Sequence, residues 1–257
     1  MDLLDQVSIL WVYIGTVVLV MIAAEIGFQV GSWVQRRDPE SGKALLSGPV
    51  VGGMLGLMAF LLGFCISIVI GQHNGRKAMV VDEANAIGTA YLRADFLNDD
   101  DRDATQDLLR EYVEIRLAAA SDVTLYESVL SRSEEIHSQL WSIVVQNVAQ
   151  GNQSDVMALF VDSINEVIDV HSLRIAAVEL RLPRQLGIVL YAATLLSFLL
   201  VGVSNSANGK RDMITIFLFA LAFVTVFIII VDLDRAQEGL LTVSQTALLD
   251  LLAQMTP

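Results

Sequence analysis

This sequence of 257 residues is too apolar for an ordinary soluble domain, because hydrophobic residues fill 54% of its positions and its mean hydropathy is +0.58. Its formal net charge of -13 argues against nucleic acid as a partner, since binding a phosphate backbone needs clustered Lys and Arg. Cys65 is the only cysteine, which excludes an intramolecular disulfide and a zinc site built on paired cysteines. The composition predicts a protein bound to the lipid bilayer.

Four apolar blocks are long enough to cross a hydrocarbon core of about 30 Å, which takes roughly 20 helical residues. They run from Ile9 to Val30, Val50 to Ile70, Leu186 to Ser204 and Met213 to Val231. The first block lacks the basic start of a signal peptide and is too long for a cleaved one, so we interpret it as a retained membrane helix. The sequence therefore predicts four transmembrane helices.

Helical periodicity continues through the charged stretch between the second and third blocks, without an alternating strand pattern. Asn98 and the acids that follow it supply a helix N-cap, because a calcium loop would need more regular oxygen ligands and a glycine turn. His171 belongs to an apolar stripe and is interpreted as a packed histidine. These features predict an antiparallel helical bundle, on which an amphipathic segment around Val243 and Leu251 is expected to dock.

The predicted fold is thus an all-α integral membrane protein with a helical bundle inserted between its second and third transmembrane helices. Transmembrane helices 1 and 2 occupy residues 1–71, and the soluble bundle occupies residues 72–184. Transmembrane helices 3 and 4 occupy residues 185–232, and an amphipathic C-terminal helix that docks on the bundle occupies residues 233–257. The chain is therefore predicted to be a multi-pass membrane protein.

Basic residues in short loops set the orientation, because positive charge that flanks membrane helices stays in the cytoplasm. The two short loops carry Arg36, Arg37 and Lys43, and Lys210 and Arg211. This pattern predicts a periplasmic or extracellular bundle, although basic residues also flank the opposite ends of the same helices.

Polar and small residues in or beside the membrane helices form three sets of candidates. Gly48, Gly52 and Gly56 recur every four residues, which favours close packing of another helix over a pore-lining role. Glu25 lies inside a span, where it is either an ion or proton site or a hydrogen-bonded glutamate near the membrane edge. A polar strip along one helical face consists of Asp82, Asn85, Thr89 and Arg93. It either binds an ion or forms hydrogen bonds to neighbouring helices and subunits, and the second interpretation is favoured.

Three segments carry a resemblance to a known family. They read DEANAIGTAYLRADFL from Asp82 to Leu97, LLREYVEIRL from Leu108 to Leu117, and DLDRAQEGLLTVSQ from Asp232 to Gln245. The chain, from the second helix to the C-terminus, resembles the bestrophin-like family of uncharacterised bacterial membrane proteins, which is distantly similar to the bestrophin anion channels.

The resemblance implies a homo-oligomer, a pentamer by analogy, that conducts inorganic ions through a pore lined by the second helix. Phe60 and Phe64 would then form an apolar neck near Gly56. Asp232 and Asp234 stand where a bestrophin-like cation site, with calcium as its ion, would form; two exposed acids at a helix boundary are the favoured alternative. Bestrophins keep the domain between spans two and three in the cytosol, which opposes the charge-based orientation.

Two functions from different classes therefore remain open. The first is an oligomeric bestrophin-like ion channel, with anion selectivity implied by the resemblance. The alternative is an envelope sensor or scaffold whose bundle binds a ligand or partner, and a secondary transporter ranks third because four spans are few. No catalytic triad, phosphate loop or zinc motif occurs in the sequence, so an enzyme is not expected, and no cofactor or metal site is assigned.

Overall fold

The computed structural model describes residues 7–37, 48–152, 154–207, 212–235 and 239–255, and these residues are helical apart from short connections. The α-helices, in chain order, are α1 Ile9–Arg37, α2 Gly48–Arg93, α3 Asp99–Ser121, α4 Tyr126–Ala149, α5 Asp155–Glu179, α6 Arg184–Ala207, α7 Met213–Asp234 and α8 Thr246–Met255. The 3-10 turns Ala94–Phe96 and Val123–Leu125 precede α3 and α4. The prediction of an all-helical chain is confirmed.

Four helical stretches of the described residues are long and apolar enough to cross a membrane. They are Ile9–Arg37, Pro49–Phe96, Asp155–Ser206 and Met213–Asp234. Each contains one of the four apolar blocks predicted from the sequence. At the end of α1 the Arg37 guanidinium lies 4.2 Å from the ring centre of Trp33, a cation–π contact of the kind that suits a membrane border.

The chain divides into two compact units. Unit 1 comprises Met1–Gln72 and Arg181–Leu241, and unit 2 comprises His73–Leu180 and Thr242–Pro257. Helix α2 contributes its first part to unit 1 and its last part to unit 2. Unit 1 therefore holds the predicted apolar blocks, and unit 2 holds α3, α4, α5 and α8.

Unit 1 is held together by very close contact between α1 and α6. A Cβ added at Gly27 would overlap the carbonyl oxygen of Leu199, and one added at Gly202 would overlap the carbonyl oxygen of Ala24. Glycine alone permits this approach of two helix backbones, which is the usual way that helices associate in lipid. Buried side chains of α2 and α7, such as Met58 and Val224, belong to the same apolar core.

Unit 2 has its own apolar core, formed by α2, α3, α4, α5 and α8. Asn98 caps α3 by accepting a hydrogen bond from the Asp101 backbone N–H at 3.0 Å, which confirms the predicted N-cap. Arg76 of α2 closes the end of α5 by donating to the carbonyl oxygens of Ala177 at 3.1 Å and Leu180 at 2.8 Å.

The turn between α4 and α5 requires a glycine. Gly151 has a φ of +90°, a conformation that side chains disfavour, and its N–H donates to Val148 while the N–H of Asn152 donates to Asn147. This pair of hydrogen bonds is a Schellman motif, which ends α4 and satisfies its last carbonyl groups. Ser154 then begins α5 by accepting from the Met157 N–H at 3.2 Å.

The C-terminal helix differs from the predicted interval 233–257. Helix α7 continues to Asp234, and α8 begins only at Thr246. Leu248 and Met255 of α8 are buried in the core of unit 2, and the Met255 carbonyl accepts from Arg110 at 2.8 Å. The amphipathic spacing around Val243 and Leu251 therefore predicted a helix that begins too early, within a segment that is not helical in the structure.

Candidate functional site

The membrane part of α2 has an exposed face of unusual composition. Its glycines Gly52, Gly53, Gly56, Gly63 and Gly71 are all exposed, and no described atom lies within 4 Å of the place where a Cβ would stand on any of them. Phe60 and Phe64 lie on the exposed surface of the same helix, with 67% and 49% of their surface accessible. Gly56, Phe60 and Phe64, the three pore candidates, therefore all lie on the exposed side of α2 within unit 1.

The close helix packing expected at the glycine face of α2 is not found among the described residues. The spacing of Gly52 and Gly56 favoured close packing of another helix, yet among the described residues no element approaches them. The close packing occurs instead between α1 and α6, at Gly27 and Gly202. Close packing of the glycine face of α2 against a helix of another chain stays a prediction.

The exposed face of α1 provides a comparison within the same unit. It carries large apolar side chains: Leu10, Trp11, Ile14, Val18, Leu19, Ile22, Ile26 and Val30. Lipid tails favour such residues, because they offer apolar area without leaving backbone exposed. The exposed surface of α2 also carries large apolar side chains, among them Leu57, Phe60 and Ile70, but five exposed glycines interrupt it, which suits protein contact or an aqueous space.

In unit 2 the predicted polar strip lines a groove between α2 and α5. The groove has a volume of about 420 Å³, and its lining includes all four members of the strip together with Asp162, Ser163 and Glu166 of α5. Asp82, Asn85 and Thr89 have no hydrogen-bond partner among the residues that the structure describes. The strip therefore presents unused donors and acceptors at an open surface.

Arg93 closes one end of this groove. Its Nη1 donates to the carbonyl oxygen of Leu159 at 2.6 Å and lies 3.9 Å from the Asp162 carboxylate. The ion pair is largely exposed, so it contributes little to stability. Its main effect is to fix the guanidinium against α5.

The core of unit 2 contains a buried polar network around Glu83. This carboxylate is fully buried, accepts a hydrogen bond from the Tyr112 hydroxyl at 2.8 Å, and pairs with both Arg174 and Arg116. Arg174 also donates to the Gln245 side chain at 2.9 Å. The network thus joins α2, α3, α5 and the segment before α8.

Two histidines extend the network, and its hydrogen bonds fix one of their tautomers. The Tyr112 hydroxyl donates to Glu83, because a carboxylate can only accept, so its oxygen is left to accept from Nδ1–H of His171 at 2.8 Å. The ring of His137 packs edge-on against His171, with 4.8 Å between the ring centres. His171 is buried, which confirms the prediction of a packed histidine.

The environment of the network keeps its two histidines and its tyrosine neutral. Burial, with a further contribution from the Arg116 charge, lowers the pKa of His137 to about 4. Burial also raises the pKa of Tyr112 well above its usual range. Two guanidinium groups therefore share one carboxylate, and the network carries one excess positive charge.

The sequence contained a signal for this network that was not used. Glu83 adjoins Val80, Ala84 and Ile87 on the buried side of α2, and a charged residue within an apolar stripe requires a buried partner. Arg116 on α3 and Arg174 on α5 similarly interrupt apolar faces. Matching interruptions on three amphipathic helices indicate a shared polar core.

Asp232 and Asp234 form structural contacts at the end of α7. Asp232 is only 3% exposed, and its carboxylate accepts the backbone N–H groups of Leu240 at 2.9 Å and Leu241 at 3.0 Å. Asp234 accepts the N–H of Leu182 at 2.6 Å. The favoured expectation of two exposed acids is therefore wrong for Asp232, which anchors the chain that leaves α7.

The remaining candidates do not assemble into a metal site. Glu25 is half-buried in α1 and accepts from the Gln29 side chain at 3.1 Å, one turn along the same helix. Within the described ranges no group of three or more His, Cys, Asp or Glu side chains is placed to hold a metal ion.

This architecture is shared with known proteins. The family model of the Bestrophin-like domain matches residues 17–248. A crystal structure of a bacterial bestrophin homologue from Klebsiella pneumoniae, bearing one mutation, superposes with a TM-score of 0.72 at 13% identity over 95% of this chain and 98% of that chain. A second mutant of the homologue gives 0.66 at 13% identity over 94% and 99%. No match is found among the curated proteins.

These findings define the class and then the family. The apolar helices and the shared fold identify an all-helical membrane protein. The chain belongs to the Bestrophin-like domain family, since the family model covers most of its length.

Proposed function

We propose that this chain forms a homo-oligomeric, anion-selective ion channel in the bacterial inner membrane, with the membrane part of α2 lining the pore. Membership of the Bestrophin-like domain family and a fold shared with a bacterial bestrophin homologue support a channel. The observation that carries the choice of helix is the exposed glycine-rich face of α2, which differs from the lipid-like face of α1.

A ring of identical chains accounts for both the exposed glycines and the exposed phenylalanines of this face. Neighbouring copies around an axis bury small residues at their contacts and leave a central space that helix faces surround. Gly56 lets the backbones come close, while Phe60 and Phe64, one turn apart, narrow the space to an apolar constriction that gates by excluding water. Five copies are proposed by analogy with bestrophins.

The pore assignment predicts which cysteine substitutions expose an ion pathway. Cys65 is buried, so a Cys65→Ala background removes the only thiol without disturbing the surface. In liposomes we expect chloride flux through Phe60→Cys and Phe64→Cys proteins to be mostly abolished by a charged, water-soluble thiol reagent, because the adduct places charge inside the constriction. Chloride and potassium gradients are compared in the same vesicles to measure selectivity.

Ile22→Cys is the matched control, because Ile22 is 48% exposed on the large-apolar face of α1, against 49% for Phe64. Chloride flux through the Ile22→Cys protein is expected to stay unchanged when the reagent is added. If the reagent leaves chloride flux through Phe60→Cys and Phe64→Cys unchanged, although both thiols react in detergent, α2 is excluded as the pore helix. Absence of flux from correctly folded protein at varied pH, calcium and voltage would exclude the channel.

The basic residues of the short loops support a periplasmic location for unit 2. We expect a cysteine at Ser138, which is exposed on α4, to react with a membrane-impermeant maleimide in intact spheroplasts of cells that express the full chain. The buried Cys65 of the native protein serves as the control that stays unlabelled. Labelling of Ser138→Cys only after lysis would place unit 2 in the cytosol, as in bestrophins.

One observation favours an envelope sensor or scaffold as a second candidate function. The groove in unit 2 presents Asp82, Asn85 and Thr89 without partners among the described residues, which suits binding of a small polar ligand or a partner segment. This function requires no ion flux. Absence of flux, together with a binding partner lost on Asn85→Ala and Thr89→Ala, would establish it.

A further inference from the structure

The buried network of unit 2 has a charge that its own side chains do not balance. Glu83 is the single carboxylate within it, and it faces two guanidinium groups. Arg174 is well satisfied, because it pairs with Glu83 and donates to Gln245. The excess positive charge therefore rests on Arg116.

Arg116 is a poorly satisfied buried cation. Only 7% of its surface is exposed, and its Nε lies 3.1 Å from Glu83 Oε1, but without the alignment of a hydrogen bond. Its terminal nitrogens have no hydrogen-bond partner among the residues that the structure describes, and, unlike Nε, they are not fully buried. A guanidinium that is largely removed from water loses much of its hydration, and one carboxylate that it shares with Arg174 returns only part of that loss.

A second orphaned atom lies in the same network. His137 is buried, and its Nε2 has no partner within the described part of the chain. Burial lowers the pKa of His137 and of His171, and the Arg116 charge lowers both further. Orphaned buried donors in native proteins generally have a bound water or ion that completes them.

We propose that a small inorganic anion, such as chloride, binds in the core of unit 2 beside Arg116 and His137. The anion neutralises the excess charge and accepts from the Arg116 guanidinium and from Nε2–H of His137. Charge distinguishes an anion from water here, because water fills hydrogen bonds but leaves the positive charge. Two acids, Glu127 and Glu179, lie at the edge of the network and act on Tyr126. Both are exposed, so solvent screens their charges.

The test uses the purified full-length protein in detergent, without any measurement of flux. The unfolding temperature is followed as sodium gluconate is replaced by sodium chloride or bromide at constant ionic strength. We expect Tm to rise with the concentration of either halide, because a ligand that binds only the folded state stabilises it by RT ln(1 + L/Kd), where L is the free ligand concentration. Arg116→Gln should remove this response, and His137→Phe should weaken it.

Arg132→Gln is the matched control, since Arg132 pairs with Glu111 and Glu135 on the surface of unit 2 and should keep the response. A halide bound in the pore would keep its effect in Arg116→Gln, so the two locations are separated. A bromide soak of native crystals needs no variant and should give an anomalous peak beside Arg116. Equal Tm in gluconate and chloride with no such peak would mean that the network holds water only, and would overturn the proposal whether or not the protein conducts ions.

Discussion

Gly27→Ala and Gly202→Ala should each destabilise unit 1 by about 3 kcal/mol or more, because overpacking against a rigid backbone exceeds the usual cost of an added methyl group. The Cβ at position 27 would overlap the carbonyl oxygen of Leu199, and the Cβ at position 202 that of Ala24. Neither obstacle is a side chain that rotates away. The helices α1 and α6 must separate, and the contacts along their length weaken together.

Gly15→Ala provides the control for this prediction, because Gly15 is an exposed glycine of α1 itself. No described atom lies within 4 Å of the added methyl group, and alanine favours a helix over glycine by up to about 1 kcal/mol. Unfolding in detergent should therefore show a lower Tm for the first two variants and an unchanged or higher Tm for Gly15→Ala. Equal stability of all three proteins would mean that α1 and α6 do not approach as the structure has them.

The glycine positions illustrate what helical spacing predicts and what it leaves open. Apolar length predicted the four membrane helices, since crossing a bilayer imposes a strong local pattern. Spacing of four among small residues occurs both at Gly52 and Gly56 and at Gly27 and Gly31. Only the tertiary arrangement decides which face meets another helix of the same chain, and here the α1 face contacts α6.

The polar residues of α2 show the same limit. The sequence placed the strip of Asp82, Asn85 and Thr89 on one face, and the structure brings this strip to one groove. Its neighbour Glu83 was overlooked. Successive residues of a helix are rotated by about 100°, so Glu83 faces the core although Asp82 faces solvent. The partners of Glu83 come from α3 and α5, and no local pattern states which distant residues a buried charge meets.

Helix ends were the weakest part of the prediction. Asn98 was identified as an N-cap because capping is local chemistry, whereas the segment before α8 was read as helix because apolar residues there happen to match helical spacing. Leu240 and Leu241 instead donate their N–H groups to Asp232. This long-range satisfaction of backbone donors keeps the segment out of a helix and is invisible in the spacing.

Glu83→Gln should destabilise unit 2 by about 3–5 kcal/mol, the usual effect of removing one partner from a buried ion pair. The substitution keeps the shape of the side chain and leaves Arg116 and Arg174 without a counter-charge in the protein. The cost is thus electrostatic and not a matter of packing. The Tyr112 hydroxyl also loses its charged acceptor, which weakens the hydrogen bond that orients His171.

Asp82→Asn is the matched control, since it makes the same charge change at the adjacent, exposed position and should alter stability by less than about 0.5 kcal/mol. Trp141 is the only tryptophan of unit 2, so its fluorescence in a Trp11→Phe, Trp33→Phe background follows urea unfolding of this unit. If an anion binds beside Arg116, chloride should recover more of the lost stability in Glu83→Gln than gluconate does, because the variant has two unbalanced cations. Equal losses in Glu83→Gln and Asp82→Asn would mean that Glu83 does not carry the charge balance of the core.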